Sequence, residues 1–352
     1  MEDGTGAPES ADTNKRTPQR RKRLAGIIAG VLAFALLFSL VQTVLTPKYL
    51  QSSSGMAYGL YHGLARDTEY LFLGTSQAYA AVDARELTES YGLNAYDFGS
   101  GGLPFAIMPY FLSEFLRYEH PQYVFAEVST ILRPVDEITD QQIAYCYAPF
   151  RPSAEKRSSL RLIGFSGTEL LARDAFPIFI YHNRWDSLEL EDAAYLFFPL
   201  IQALRNNERF ASIPAVAEVL NNVLLNRGHL AIEKTREARL VYEPGGSGSI
   251  PPLPAENAAA LEQLADLCRA RGVTLILFKT PTPQWTAEQS AAAAAAAAEL
   301  GIEYLELHDY LDEIGIDAQT DFADGTHLNA SGAAKVTAFM AHYIRQELPL
   351  SP

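Results

Sequence analysis

Between Leu24 and Leu45 the chain carries 22 residues whose only polar side chains are Ser39, Gln42 and Thr43. That length and polarity match the ~20 residues needed to cross a bilayer as a helix. The segment predicts a transmembrane helix over 24–45 and divides the chain into a short N-terminal piece and a body of about three hundred residues. Lys15, Arg16, Arg20, Arg21, Lys22 and Arg23 stand before the run, whereas only Lys48 stands close behind it. The positive-inside rule therefore puts the N-terminus in the cytoplasm and the body outside, at the cell membrane. A cleaved signal would have a shorter apolar region ending in small residues, and Leu40 to Leu45 offers no such site, so a retained single-pass anchor is expected. Residues 1–23 read as a disordered cytoplasmic tail, because Met1 to Gln19 has almost nothing apolar to bury.

From Thr46 onward there are 22 basic and 38 acidic residues, a net charge of −16. An acidic body of this kind argues against nucleic acid or an anionic surface as its main partner. With 48% hydrophobic and 20% charged residues over the whole chain, neither general disorder nor several membrane spans is suggested. Cys146 and Cys268 are the two cysteines; outside the cytoplasm they can pair, although two thiols do not make a disulfide framework. No Cys-His spacing suited to zinc occurs, and His62, His120, His229, His308 and His342 show no recurring spacing to a carboxylate pair, so no metal and no cofactor is expected.

Short apolar runs alternate with helical stretches along the body. Strands are predicted at Glu69–Gly74, Leu93–Phe98, Tyr123–Val128, Val273–Phe278 and Ile302–Leu307. Helices are predicted over Ala78–Tyr91, Pro104–Tyr118, Ala255–Arg271, the Ala291–Ala298 region and about Ala330–Glu347, with Asn329 or Ser331 as the last cap. Residues from about 132 to 249 are mostly helical in period and read as a helical insertion, closed by the Gly- and Pro-rich loop 244–252. Alternation of this kind implies parallel pairing through right-handed crossovers. The expected fold is α/β, a flavodoxin-like doubly wound five-stranded parallel sheet, with ligands beyond the carboxyl ends of its strands.

Two pieces of sequence carry chemistry. Gly74-Thr75-Ser76-Gln77 ends the first strand, where a strand-to-helix turn can project a hydroxyl with backbone amides beside it; equally, Thr and Ser there can serve only as caps. Asp324-Gly325-Thr326-His327 precedes the last helix, and its spacing brings a carboxylate and an imidazole to one turn of chain. A nucleophilic hydrolase needs such a pair, the imidazole to shuttle the serine proton and the carboxylate to fix its tautomer. Within the insertion, Tyr181-His182-Asn183-Arg184-Trp185 groups a ring, a cation and hydrogen-bonding side chains, as carbohydrate recognition requires, which makes His182, Arg184 and Trp185 candidates for substrate binding beside a purely structural reading. Lys279, after the fourth strand, either faces the pocket or, more simply, is solvated.

A serine ending the first strand together with Asp-x-x-His before the last helix resembles the SGNH hydrolase superfamily, over Glu69–Val128 and Val273 to the C-terminus. The resemblance implies Ser76 as nucleophile, His327 as base and Asp324 as its orienter. It also implies an oxyanion hole from the Ser76 amide and a glycine after the second strand, best matched by Gly102, with Gly101 beside it. The family's Gly-Asp-Ser block reads Gly-Thr-Ser here, and its Gly-x-Asn block is replaced by Glu127-Val128-Ser129-Thr130, leaving Ser129 or Thr130 to stand in for the asparagine. Loss of one such donor costs ~10²–10³ in rate. The anchor, the Gly-Thr-Ser block, the insertion and the missing asparagine are similar to a membrane-anchored branch, the D-alanyl-lipoteichoic-acid biosynthesis proteins and exopolysaccharide O-acetyltransferases. That likeness implies a serine esterase or O-acyltransferase acting on a cell-surface polymer or acylated carrier, beside a membrane-bound O-acyltransferase.

Overall fold

The structure, a computed structural model, describes residues 16–48, 53–188, 192, 195–204, 206–220, 226–243 and 249–349. Residues 1–15 of the expected tail and the glycine-rich part of the expected loop, 244–248, lie outside them.

Five parallel strands form one sheet: β1 (Tyr70–Gly74), β2 (Ala95–Gly99), β3 (Tyr123–Glu127), β4 (Thr274–Lys279) and β5 (Glu303–Glu306). Their order is β2-β1-β3-β4-β5, the doubly wound order 2-1-3-4-5. The two-residue period of each strand supplies both cores. Leu71, Leu73, Val124, Ala126, Leu275 and Leu277 face the helices Met108–Phe115 and Ala255–Arg269, while Tyr70, Phe72, Tyr123, Phe125, Ile276 and Phe278 face the C-terminal helix Ala330–Glu347. On that second face the Phe72 and Phe125 rings stack across neighbouring strands at 4.9 Å, an arrangement that favours this register over a slipped one.

Each strand lies within two residues of its expected position. The helix expected over Ala78–Tyr91 is instead two, Ser76–Tyr79 and Ala84–Glu89, because the Asp83 carboxylate accepts from the Glu86 amide at 3.0 Å and starts a new helix. Asn329 caps the last helix through the Gly332 amide at 3.1 Å.

Among the described residues one helix, Arg20–Leu45 within Arg16–Leu45, is long and apolar enough to cross a membrane, with mean hydropathy 2.6. It begins well inside the region expected to be a disordered tail, since Arg16 to Arg23 continue the helix. The insertion is helical at first, with Asp140–Tyr147, Ala154–Leu162 and Gly167–Ala175 the longest of its described helices. Residues 226–243, expected to share that character, form no helix or strand. They run as a strap across the sheet end, starting at Arg227, whose backbone (φ +48°) is left-handed and whose Nε donates to Ala95 O at 2.6 Å. Cys146 and Cys268 are buried free thiols and do not pair.

Candidate active site

The carboxyl ends of β1 and β2 close in so tightly at Gly74 and Gly99 that a side chain on Gly99 would strike the Gly74 carbonyl. The chain leaves β1 at Thr75, whose hydroxyl accepts from the Gln77 amide at 3.1 Å and so caps the four-residue helix Ser76–Tyr79. Ser76 becomes the first helical residue, with its side chain at the rim.

On the opposite side of the rim, Ala323 N donates to His327 O at 2.9 Å, and Phe322 and Leu328 form an antiparallel bridge, which closes residues 323–327 into a tight turn. Inside it the Asp324 carboxylate accepts from the amides of Thr326 (2.7 Å) and His327 (3.0 Å) and from the Thr326 hydroxyl (2.9 Å). His327 Nδ1 lies 3.0 Å from Asp324 Oδ2, and its Nε2 lies 2.7 Å from Ser76 Oγ. Three side chains separated by up to 251 positions therefore meet in one chain of contacts. Partial burial alone would raise the Asp324 carboxyl, yet the hydrogen bonds from His327 and Thr326 outweigh it and bring it down to about 2. An anionic Asp324 accepting at Nδ1 leaves Nε2 as the acceptor facing the serine hydroxyl.

The strap fixes the two halves of this site against each other. Leu230 N donates to Tyr79 O (2.9 Å) beside the serine, while Arg236 N donates to Phe322 O (2.8 Å) and Ala330 N to Ile232 O (2.9 Å) on either side of the histidine turn. Its lack of apolar period is the consequence of this work, because its backbone groups pair with scattered segments and not with a ladder.

Behind Ser76 lies a buried ionic network that the sequence reading missed. Lys279 and Glu127 are both fully buried, with the ammonium 3.4 Å from the carboxylate. Lys279 is thus not solvated at its strand end. Its Nζ also donates to Gln77 Oε1 (2.7 Å) and Thr280 O (3.0 Å). Glu127 in turn accepts from the Thr75 hydroxyl at 3.0 Å. Both neighbours of Ser76 are therefore tied to one ion pair. Burial pulls the Lys279 ammonium below its ordinary value, against Glu127 and Glu306, which hold it up. The signal available in sequence was a charged residue ending each of two otherwise apolar strands.

The same network settles where Ser129 and Thr130 point. The Ser129 amide and hydroxyl both donate to Glu127, at 2.9 and 2.7 Å, and the Thr130 hydroxyl donates to Leu103 O at 2.7 Å. Neither side chain has a donor left for an oxyanion. The amides of Ser76, Gly101 and Gly102, by contrast, donate to no acceptor among the described residues. Gly102 holds φ +60°, and a Cβ there would come 2.6 Å from Gln142 Nε2, which donates to the Gly102 carbonyl at 2.8 Å. Gly101 lies between the Tyr145 ring and the Tyr79 hydroxyl. Tyr79 is a further residue the sequence did not single out: it is buried, three positions after Ser76, and its hydroxyl interacts with that of Ser76. Burial raises it far enough to keep it a proton donor.

His182, Arg184 and Trp185 do not join this site. They lie on a 3-10 turn, His182–Asp186, against the end of the N-terminal apolar helix, where Arg184 donates to Leu45 O (2.9 Å) and pairs with Asp192 (3.2 Å). A helix ends with unpaired carbonyls, and a guanidinium is a natural partner for them. No cluster of three metal-ligating side chains occurs among the described residues. In comparisons with known proteins, no family model and no curated protein matches the sequence.

Proposed function

We propose that the chain is a serine-dependent acyl transferase or esterase of the SGNH type, held at the cell membrane by its N-terminal helix with the α/β domain outside. The observation that carries this reading is the contact series Ser76 Oγ, His327 Nε2, His327 Nδ1, Asp324, at 2.7 and 3.0 Å. Such a series suits attack of Ser76 Oγ on an ester carbonyl as its proton passes to His327 Nε2. Asp324, anionic over the working pH range, stabilises the imidazolium that forms. The amides of Ser76, Gly101 and Gly102, with the Tyr79 hydroxyl, are the groups suited to the oxyanion. Collapse of the tetrahedral adduct expels the alcohol, which takes the proton from His327 and leaves an acyl group on Ser76. A second hydroxyl, from water or from a sugar or teichoic-acid unit of a cell-surface polymer, gives its proton to His327, attacks the acyl-enzyme and restores the serine. The acyl group comes from an acylated carrier or the polymer itself, and a membrane-bound O-acyltransferase is the partner this reading expects.

The test is labelling of the detergent-solubilised full chain with a fluorophosphonate, alongside hydrolysis of a generic acetyl ester. Wild type is expected to label and turn over, and Ser76→Ala and His327→Ala to do neither. Equal labelling of Ser76→Ala and wild type would sink the proposal.

One observation favours a second reading. With the Ser129 and Thr130 hydroxyls committed to protein acceptors, no side chain takes the place of the missing asparagine unless Tyr79 does. A catalytically silent domain that binds a polymer or docks on the acyltransferase would accommodate this. It predicts no labelling at all, with polymer binding unchanged in a Ser76→Ala, Asp324→Ala, His327→Ala triple variant.

A further inference from the structure

The end of the apolar N-terminal helix is built into the domain. Residues 20–37 are exposed along their whole length, and burial begins at Phe38. Phe38 meets Phe176 edge to face at 6.2 Å, Gln42 Nε2 donates to Ala175 O at 3.2 Å, and the Arg184 guanidinium donates to Leu45 O at 2.9 Å. The turn Tyr195–Phe197 packs on the same helix. Behind these contacts the wall is braced. Lys156, buried, donates to the carbonyl oxygens of Phe150 and Asp174, and the Asp174 carboxylate pairs with Arg157 at 2.7 Å, which fixes the chain that enters Phe176.

The place where these contacts begin sets a depth. From Leu24, the first apolar residue after Arg20, Arg21, Lys22 and Arg23, the helix rises about 21 Å to Phe38 at ~1.5 Å per residue. A hydrocarbon core is ~30 Å thick. With the basic cluster held at the inner headgroups, about 9 Å of that thickness remains for the stretch from Phe38 to Val44, on which the insertion packs. Any tilt of the helix shortens the free part further. The insertion's surface is graded to match. Around Phe38 stands Phe176-Pro177-Ile178-Phe179-Ile180, a run without a polar side chain, in which the Phe179 ring lies 6.1 Å from that of Phe176 and is 66% exposed. Around Leu45, about 10 Å further along the helix, stand His182, Asn183, Arg184 and Asp186, and among them Trp185 is 60% exposed. Phe197, 58% exposed, completes a collar on that helix. Exposed rings with a tryptophan among polar groups above them follow the order of an outer leaflet and its headgroups, and an aqueous surface does not favour them.

We propose that the insertion seats in the outer leaflet, with Phe176 and Phe179 in the hydrocarbon and Trp185 and Phe197 at the headgroup boundary. The lipid bilayer is then the partner of this surface, and the α/β domain rides on it at a fixed height instead of swinging from a stalk. The inference rests on the reading of Arg20–Leu45 as a membrane span and not on the Ser76 chemistry, so loss of the latter leaves it standing. A second protein would also cover exposed rings, but a span that starts after Arg23 leaves these rings at hydrocarbon depth before any such partner arrives.

The test uses the full-length chain, reconstituted alone into vesicles of phosphatidylcholine dibrominated at chosen depths along the acyl chains, with quenching of tryptophan fluorescence as the readout. Of the two tryptophans, Trp285 is buried in the domain and gives a constant background. Shallow bromines are expected to quench wild type, and Trp185→Phe to lose that quenching. Phe179→Trp in the Trp185→Phe background should be quenched most by deeper bromines. In the same background Phe34→Trp marks the span and should respond to the deepest. Phe179 is exposed, so Phe179→Glu should melt as wild type while the shallow quenching of Trp185 falls at least about twofold. Arg151→Glu, a charge reversal over the Tyr61 ring and outside the collar, should quench as wild type. Quenching of Phe34→Trp without quenching of Phe179→Trp would overturn the seat and leave the span, and quenching of neither would overturn both. A loss in Arg151→Glu equal to that in Phe179→Glu would make the effect one of net charge and overturn the role of the collar. A dimer by native mass spectrometry, with Trp185 and Phe179→Trp unquenched, would assign the surface to a second copy of the chain and overturn the lipid assignment.

Discussion

The rim of the sheet and the junction with the N-terminal helix handle buried charge in opposite ways. At the rim, Lys279 has Glu127, Gln77 and Thr280 around it, and Glu306 holds His308 at 2.6 Å, Tyr304 at 2.6 Å and Trp285 at 2.8 Å. At the junction, Lys156 donates to two carbonyl oxygens, and the carboxylates of Asp174 and Glu114 hold its ammonium up without an ion pair at contact distance. A satisfied network fixes geometry and suits a site that must hold a hydroxyl and an imidazole 2.7 Å apart. The contrast teaches that the two regions should respond to different perturbations.

The largest expected effect lies at the rim. Ser76→Ala should lower ester turnover by ~10⁴–10⁶ and leave the melting temperature unchanged, as measured by hydrolysis and calorimetry on one preparation. A comparable loss from Arg151→Glu, far from the serine, would break the contrast.

Next comes the pair itself. Lys279→Met leaves Glu127 buried without its cation, which costs ~3–5 kcal/mol, and releases Gln77. Stability and turnover should fall together. Adding Glu127→Gln should recover part of the stability, since the amide can still accept from Thr75 and Ser129, and denaturant unfolding of the single and double variants measures the difference.

This pair also marks the limit of what the sequence discloses. Strands were legible because alternating and continuous apolar runs report burial locally, and the Asp324–His327 turn was legible because its spacing is short. Lys279 was not. A lysine closing a strand looks the same whether it meets water or a glutamate 152 positions earlier, and nothing local distinguishes them. Asp83 split a helix whose apolar pattern ran on through it, since a cap acts on the backbone and not on the period. Arg184 carried the composition of a sugar site but serves a helix end that its neighbours in sequence do not reveal.

At the junction the expected effect is smaller and depends on pH. Lys156 lies near 8 in the folded chain against an ordinary 10.5. Its folded value is depressed, so the folded state disfavours the ammonium, and stability rises as pH climbs from about 8 toward 10.5, by at most ~3 kcal/mol. Lys48, also near 8, titrates over the same window. Lys156→Gln should therefore remove about half of the rise in a pH series of thermal melts.

The last comparison sets Gly102 at the rim against Gly164, in the insertion. Gly102 (φ +60°) and Gly164 (φ +96°) both hold left-handed backbone, where an alanine costs ~1–2 kcal/mol. Around Gly164 a Cβ meets nothing within 4 Å, so Gly164→Ala should cost that strain and leave turnover alone. At Gly102 the new methyl must also push aside Gln142, which loses its 2.8 Å bond to the Gly102 carbonyl, and the loop carrying two of the three free amides shifts. Turnover should drop by ~10²–10³ on the scale of one lost oxyanion donor, with a stability loss close to that of Gly164→Ala. Equal turnover in the two variants would remove the Gly101–Gly102 loop from the oxyanion hole and leave the Ser76 amide and Tyr79 as its donors.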